Sequence, residues 1–355
     1  MITIMTQREI ILANLNHDGP PRHGITFSGD RINDINAAGI GDPEGYTQKR
    51  WIEGTREYYD DVWGNIWVRM TGGSKKGEVH KPAITDWSQL DDYQPPVYDR
   101  ELCARRLERG FGEDHNRFRL AAIGGWIFDN ARYVRRLDIY LMDMALHPEE
   151  IRRLHRIVCD VYETKILAAA DAGADGIMIG EDMGTQTGLL FSPAMWRDYF
   201  KAEYTRLFSI AHDRGMKVLM HSCGQNTEIV PDLLEAGVDC FQFDQPEVYD
   251  MQWLADQLKR HTAALWSPVD IQTILPTGNK ETIVAGTERM IDTFNGFLIC
   301  KDYPDLHGIG VEPEWDDWFY RTVLRRAGLP EGHSGPGVPP VAASADGTKE
   351  VANPR

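Results

Sequence analysis

Two phrases decide the architecture: DAGADGI, Asp171 to Ile177, and LEAGVDC, Leu234 to Cys240. In each, a helix ends at a glycine suited to the left-handed cap position and a short buried strand begins directly afterwards. The repeat is that of a βα unit, and working outward from it the same grammar covers most of the chain. Short apolar runs predict strands at Gly24–Ser28, Phe118–Ile123, Gly176–Ile179, Val218–Met220, Cys240–Phe243, Ala263–Leu265 and Phe297–Ile299. Amphipathic stretches between them predict helices at Gln7–Leu15, Pro148–Ala172, Pro193–Arg214, Glu228–Ala236, Met251–Arg260, Lys280–Phe294 and Trp315–Ala327. Strand, helix, parallel strand, repeated with one strand hidden, is best satisfied by an α/β fold of the (β/α)8 TIM type, ahead of an open doubly wound sheet.

The length of 355 residues, 42% of them hydrophobic, suits one such barrel, which commonly needs about 250 residues. We expect a single barrel domain over 1–328. Its first part, to about residue 115, reads as an irregular N-terminal capping segment with an aromatic group at Tyr58, Tyr59, Trp63 and Trp67. These rings either line the barrel mouth or only pack. Residues 329–355, rich in Pro, Gly, Ala and Ser and without an apolar period, are expected to form a disordered tail.

With 54 acidic against 38 basic residues the formal charge is −16, which argues against nucleic acid or an anionic membrane as a partner. No apolar run approaches ~18 residues, and the opening MITIMTQREIILANLNHDG is too polar for a signal peptide, so a cytoplasmic location is expected. The five cysteines, Cys103, Cys159, Cys223, Cys240 and Cys300, are scattered and odd in number, the pattern of reduced thiols.

Barrel enzymes work at the C-terminal ends of their strands. His221-Ser-Cys223-Gly follows the strand Val218–Met220, and side chains two apart at a strand end point the same way, so His221 and Cys223 can clamp one cation. Cys300 follows Phe297–Ile299 in the equivalent position. Together they would form a His-Cys-Cys zinc site with a fourth position open for catalysis. The plain alternative is a strand-end histidine beside a buried thiol. Cys240 starts its strand and would point a thiol toward the opposite end.

The phrases HSCG, GLLFSPAMWRDYF (Gly188 to Phe200) and SPVDIQTILPTGNKETI (Ser267 to Ile283) together resemble the uroporphyrinogen decarboxylase superfamily, in the expected order, over roughly Thr6 to Gly328. One branch comprises zinc-dependent methyltransferases acting with corrinoid proteins, and it carries His-x-Cys and a further Cys at the spacing seen here, 77 residues from Cys223 to Cys300. The resemblance implies Zn2+ on His221, Cys223 and Cys300. It also implies methyl transfer between a small methyl ether, amine or thiol and the cobalt of cobalamin carried by a separate corrinoid protein. The zinc would lower the pKa of a bound thiol or polarise a leaving group, in either direction of transfer. A homodimer is compatible with this reading.

Glu181 and Asp182, after Gly176–Ile179, stand where a fourth ligand or proton-handling group belongs, with helix capping or loop fixing as the alternative for Asp182. Gln186, Asp244, Asp270 and Gln272 are candidate substrate contacts, and Trp126 and Trp266 candidate walls for a methylated aromatic or cationic substrate. Loop hydrogen bonding and packing are the competing roles. Two other functions share the fold. A metal-independent lyase like the decarboxylase itself would want an arginine-rich segment, where this chain offers Arg31; a noncatalytic binding barrel would keep His221 and the cysteines as packing. Asp305, His307 and Gly310 spell DxHxxG, a corrinoid-binding pattern. We read the match as coincidence, because the chain after it is too short for the nucleotide-binding unit that should follow.

Overall fold

The computed structural model describes residues 4–72, 77–331 and 341–342. Strand β1 (Ile4–Met5) leads into helix α1 (Gln7–Asn16). Thr6 starts that helix by accepting the Glu9 amide while the Glu9 carboxylate accepts the Thr6 amide, which satisfies two end donors at once. Next come β2 (Gly24–Thr26), β3 (Ile35–Gly39), β4 (Arg50–Glu53), β5 (Arg56–Asp60), β6 (Ile66–Met70), β7 (Glu78–Lys81) and α2 (Arg100–Phe111). Strands and helices then alternate. The order is β8 (Phe118–Ala122), α3 (Ile127–Arg135), α4 (Leu137–Leu146), α5 (Pro148–Asp171), β9 (Gly176–Gly180), α6 (Pro193–Tyr199), α7 (Lys201–His212), β10 (Lys217–His221) and α8 (Val230–Ala236). It continues with β11 (Cys240–Gln242), α9 (Met251–His261), β12 (Ala264–Ser267), α10 (Lys280–Thr293), β13 (Leu298–Lys301) and α11 (Pro313–Arg326).

Eight strands make one sheet in the order β2-β13-β12-β11-β10-β9-β8-β3. The neighbours β8 and β9, β9 and β10, β11 and β12, β12 and β13, and β13 and β2 run parallel in register. This is the eight-stranded barrel with surrounding helices of a (β/α)8 fold, as expected, except that no helix separates β2 from β3. The strand hidden from sequence reading is β3, Ile-Asn-Ala-Ala-Gly, whose small residues give no apolar run.

Three local expectations need correction. Residues 50–70 and 78–81 are not irregular: β4, β5, β6 and β7 form an antiparallel sheet in chain order. The outer strands are almost wholly exposed, so the alternation that marks a half-buried strand is missing, and cross-strand pairs such as Trp51 stacked on Tyr58 at 5.4 Å carry the pairing. The helix expected over 193–214 breaks at Phe200 into α6 and α7. Helices α3 and α4, absent from the expectation, separate β8 from α5.

Contacts divide the chain into two compact units, one made of Met1–Asn36, Glu113–Arg119 and Asp239–Arg355 and the other of Ala37–Gly112 and Leu120–Val238. Of the tail expected over 329–355, only 329–331 and 341–342 fall within the described residues, and Val341–Ala342 pair antiparallel with β1 as strand β14. Among the described residues no helix is long and apolar enough to cross a membrane.

The first unit holds a buried ion pair. Arg22 donates both terminal nitrogens to Asp34, at 2.6 and 2.8 Å, with neither side chain exposed. The same carboxylate accepts the Ile25 amide at 2.8 Å and the Gln7 side chain at 3.1 Å. Removing one partner would strand a buried charge, so Asp34→Ala should cost about 3–5 kcal/mol in urea unfolding. Asp171→Ala, which breaks the exposed pair with Arg100, should cost less than ~1 kcal/mol. Equal losses would show that the buried pair has no special role.

Candidate metal centre

Strands β9 and β10 run side by side in the second unit with Gly180 opposite His221, and the Glu181 amide donates to the His221 carbonyl at 3.1 Å. That register carries parity past the strand ends. Asp182 continues the face of Gly180 and Cys223 that of His221, so three donor types converge. His221 Nε2 stands 3.4 Å from Cys223 Sγ and 3.7 Å from Asp182 Oδ1, and the three ligand atoms lie within 4.8 Å of one another. Each residue is half-buried, which leaves the cluster reachable.

The two loops are locked together by their backbones. Gln225 N donates to Thr185 O at 2.8 Å, and Cys223 N donates to Asp182 Oδ1 at 3.0 Å. Gly224 has φ +78°, and a Cβ there would stand 2.5 Å from the Gly184 carbonyl; one on Gly184 would stand 2.8 Å from the Gln225 nitrogen. Both positions require glycine because backbone meets backbone.

Imidazole, thiol and carboxylate in this proximity form a donor set that suits zinc, with room for a further ligand. Asp182 combines loop fixing with a place in the cluster. Glu181, one residue earlier, points the other way: it is 1% exposed, and its Oε2 accepts the amides of Phe128 at 2.8 Å and Asp129 at 3.4 Å at the start of α3. Burial, reinforced by the Asp129 charge, pushes its carboxyl well above the usual range. Cys300 belongs to the first unit, on β13 opposite Ile25 and Ser267, fully buried with its thiol pushed up by burial.

The remaining sequence candidates take these places. Trp126 is fully buried, stacked on Phe208 at 5.5 Å and packed on Tyr162 and Tyr204, the setting of a core ring. Trp266 is half-buried and donates to Thr26 Oγ1 at 2.7 Å. Asp244 pairs with Lys301 at 2.8 Å and accepts Gln242 at 2.7 Å. Asp270 is buried and accepts the amides of Gln272, Thr273 and Glu247 and the Thr273 hydroxyl, which makes it a loop clamp. Gln186 and Gln272 are exposed. Within DxHxxG, His307 opens a short 3-10 turn closed by Gly310 at φ +68°. Sequence reading missed a cavity of about 250 Å³ bordered by Asp182 together with Trp67, Val79, Arg132 and Tyr133. Its walls come from β6, β7 and α3; Trp67 on β6 belongs to the aromatic group the sequence singled out, whereas β7 and α3 carry no legible signal there.

The family model for uroporphyrinogen decarboxylase (URO-D) matches residues 68–300. The chain belongs to the uroporphyrinogen decarboxylase family. Within that family setting, a methylated-thiol–coenzyme M methyltransferase from Methanosarcina mazei is 24% identical over 130 residues. The aligned stretch is 37% of this chain and 30% of that protein, so the chain spans less than a third of the relative's length there. A solved methyltransferase from Methanosarcina mazei shares the fold, with a TM-score of 0.55 and 14% identity over 72% of each chain.

The glycine contact generates a prediction. Gly215 also has positive φ, +74°, but nothing lies within 4 Å of a Cβ placed there. Gly215→Ala should therefore cost only the left-handed strain of about 1–2 kcal/mol, and Gly224→Ala clearly more in denaturant unfolding. Equal costs would mean that the two loops do not interlock.

Proposed function

We propose that this member of the uroporphyrinogen decarboxylase family is a zinc-dependent methyltransferase. It would move a methyl group between a small methylated ether, amine or thiol and the cobalt of cobalamin carried by a separate corrinoid protein. The convergence of Asp182, His221 and Cys223 carries the proposal, because a metal-free lyase on this fold has no use for an imidazole, a thiol and a carboxylate within 4.8 Å of one another. Both relatives named above being methyltransferases supports the same reading. His221, Cys223 and Asp182 would hold the zinc, and the spacing of 77 residues proposes Cys300 as a further ligand. Zinc bound there would supply Lewis acidity that favours the thiolate form of an acceptor or a departing heteroatom.

The chain's own residues then position and shield. Asp182 orients the His-x-Cys loop through the Cys223 amide, and the Gly184 and Gly224 contact keeps that loop from drifting. The cavity bordered by Asp182, Trp67 and Tyr133 offers an aromatic wall beside the cluster for a methylated substrate. Glu181, with its Oε2 on two α3 amides, would act as a positioning group for that helix. The lyase reading gains nothing from Arg31, whose guanidinium is engaged by Asp316 at 2.5 Å and Asp302 at 3.3 Å.

Metal analysis of purified protein tests the proposal. About one zinc per chain is expected, lost in His221→Ala and weakened in Asp182→Ala, with the fold retained in both. Cys300→Ser should lose most of its zinc if Cys300 is a ligand. The zinc-loaded protein should also demethylate free methylcobalamin in the presence of a thiol, or methylate reduced cobalamin from a methyl donor, as followed by the cobalamin spectrum. Absence of zinc after reconstitution under reducing conditions, or retention of it in His221→Ala, overturns the site.

A further inference from the structure

Outside the metal cluster, the second unit holds a buried cation that makes no contact ion pair among the described residues. Lys165, on α5, is 5% exposed. Its ammonium donates to the Ile123 carbonyl at 3.2 Å and lies over the rings of Tyr98 and Tyr162, 4.4 and 4.9 Å from their centroids. Among the described residues no carboxylate comes within ion-pair distance of it. Carbonyl and rings only partly replace the water an ammonium loses on burial, and proteins rarely leave such a charge unpaired without a use for it. Burial accordingly pulls the amine down to about 8, against a smaller upward pull from the nearby Cys103 and Asp42, which leaves it mostly charged at neutral pH.

Lys165 lines a cavity of about 330 Å³, together with Trp63, Tyr98, Gly124, Asn130 and Tyr162. The walls are held firmly. Tyr162 donates its hydroxyl to Gly124 O at 2.7 Å, and Asn130 donates to the Tyr162 hydroxyl at 2.6 Å and to Trp126 O at 2.7 Å. At Gly125, φ +54°, a Cβ would stand 2.7 Å from the Tyr162 hydroxyl and 2.8 Å from the Asn130 nitrogen, so the chain must turn there on glycine. The cavity is thus preformed, with flat aromatic walls and one cationic donor that has hydrogen atoms to spare.

We propose that this cavity is a binding site for a small organic carboxylate, whose anionic end supplies the counter-ion to Lys165 and whose body lies against Trp63, Tyr98 and Tyr162. A phosphate fits less well. Among the described residues Lys165 is the one cationic side chain lining the cavity, while Asp42, also in the lining and itself exposed, opposes a second negative charge. The inference is independent of zinc and of methyl transfer.

Calorimetric titration of the full chain with benzoate, acetate and inorganic phosphate tests it, beside Lys165→Met, which keeps the length of the side chain without its charge. Benzoate should bind the natural protein and raise its melting temperature, and phosphate should bind more weakly. Lys165→Met should lose affinity for benzoate by about tenfold or more, the scale of a charged hydrogen bond, while keeping or raising the melting temperature of the free protein. Benzoate affinity should fall as pH rises through about 8, where the amine loses its proton. Should the variant fail to fold, peptide mapping of the natural protein after trinitrobenzenesulfonate treatment replaces it, with benzoate expected to slow labelling of Lys165. The proposal fails if no carboxylate binds, if Lys165→Met binds benzoate as tightly as the natural protein, if phosphate binds as well as benzoate, or if benzoate leaves labelling of Lys165 unchanged.

Discussion

The parallel register of β9 on β10, with Gly180 opposite His221, is the constraint from which the candidate metal centre follows. A strand pair fixes parity as well as distance: moving either strand by one residue would turn every side chain beyond its end to the other face. The register places Asp182 beside His221 and Cys223 and sends Glu181 to the start of α3. Past the strand ends the hydrogen-bond ladder stops, and the contact between Gly184 and Gly224 takes over. Two backbones touching without side chains between them leave little slack, the condition a preorganised ligand set needs.

The buried charges divide by how they are compensated. Arg22 and Asp34 answer one another, and the remaining acceptor capacity of the carboxylate is filled by amide donors, so the pair is self-contained. Glu181 is held in another way: burial pushes its carboxyl well above the usual range, while two amides of α3 donate to its Oε2. Lys165 makes no ion pair among the described residues. One carbonyl and two aromatic faces leave its charge incompletely answered beside open space, and that imbalance separates it from the buried ion pairs of the protein.

Much of the fold was legible because burial on a parallel sheet demands continuous apolar runs. GIMIG, KVLMH and LICK announce their strands, and the glycines of DAGADG and EAGVD announce the helix ends before them. Strand β3 was illegible since alanine and glycine give no hydrophobic signal, and β4 to β7 because a sheet with exposed outer strands gains its stability from cross-strand pairs that no local window contains. His221 and Cys223 were legible as a pair because period-two alternation acts within one strand.

Local chemistry in the sequence therefore determined the βα succession, the glycine helix ends and the juxtaposition of His221 with Cys223, all of which depend on neighbours a few residues apart. Tertiary structure alone decided that Asp182 rather than Glu181 faces them, that Asp270 clamps a loop and Trp126 fills a core, and that Lys165 borders a cavity with no carboxylate at ion-pair distance among the described residues. The reason is physical: strand register, ring packing and charge compensation are set by partners distant in the chain, and their geometry exists only once those partners have met.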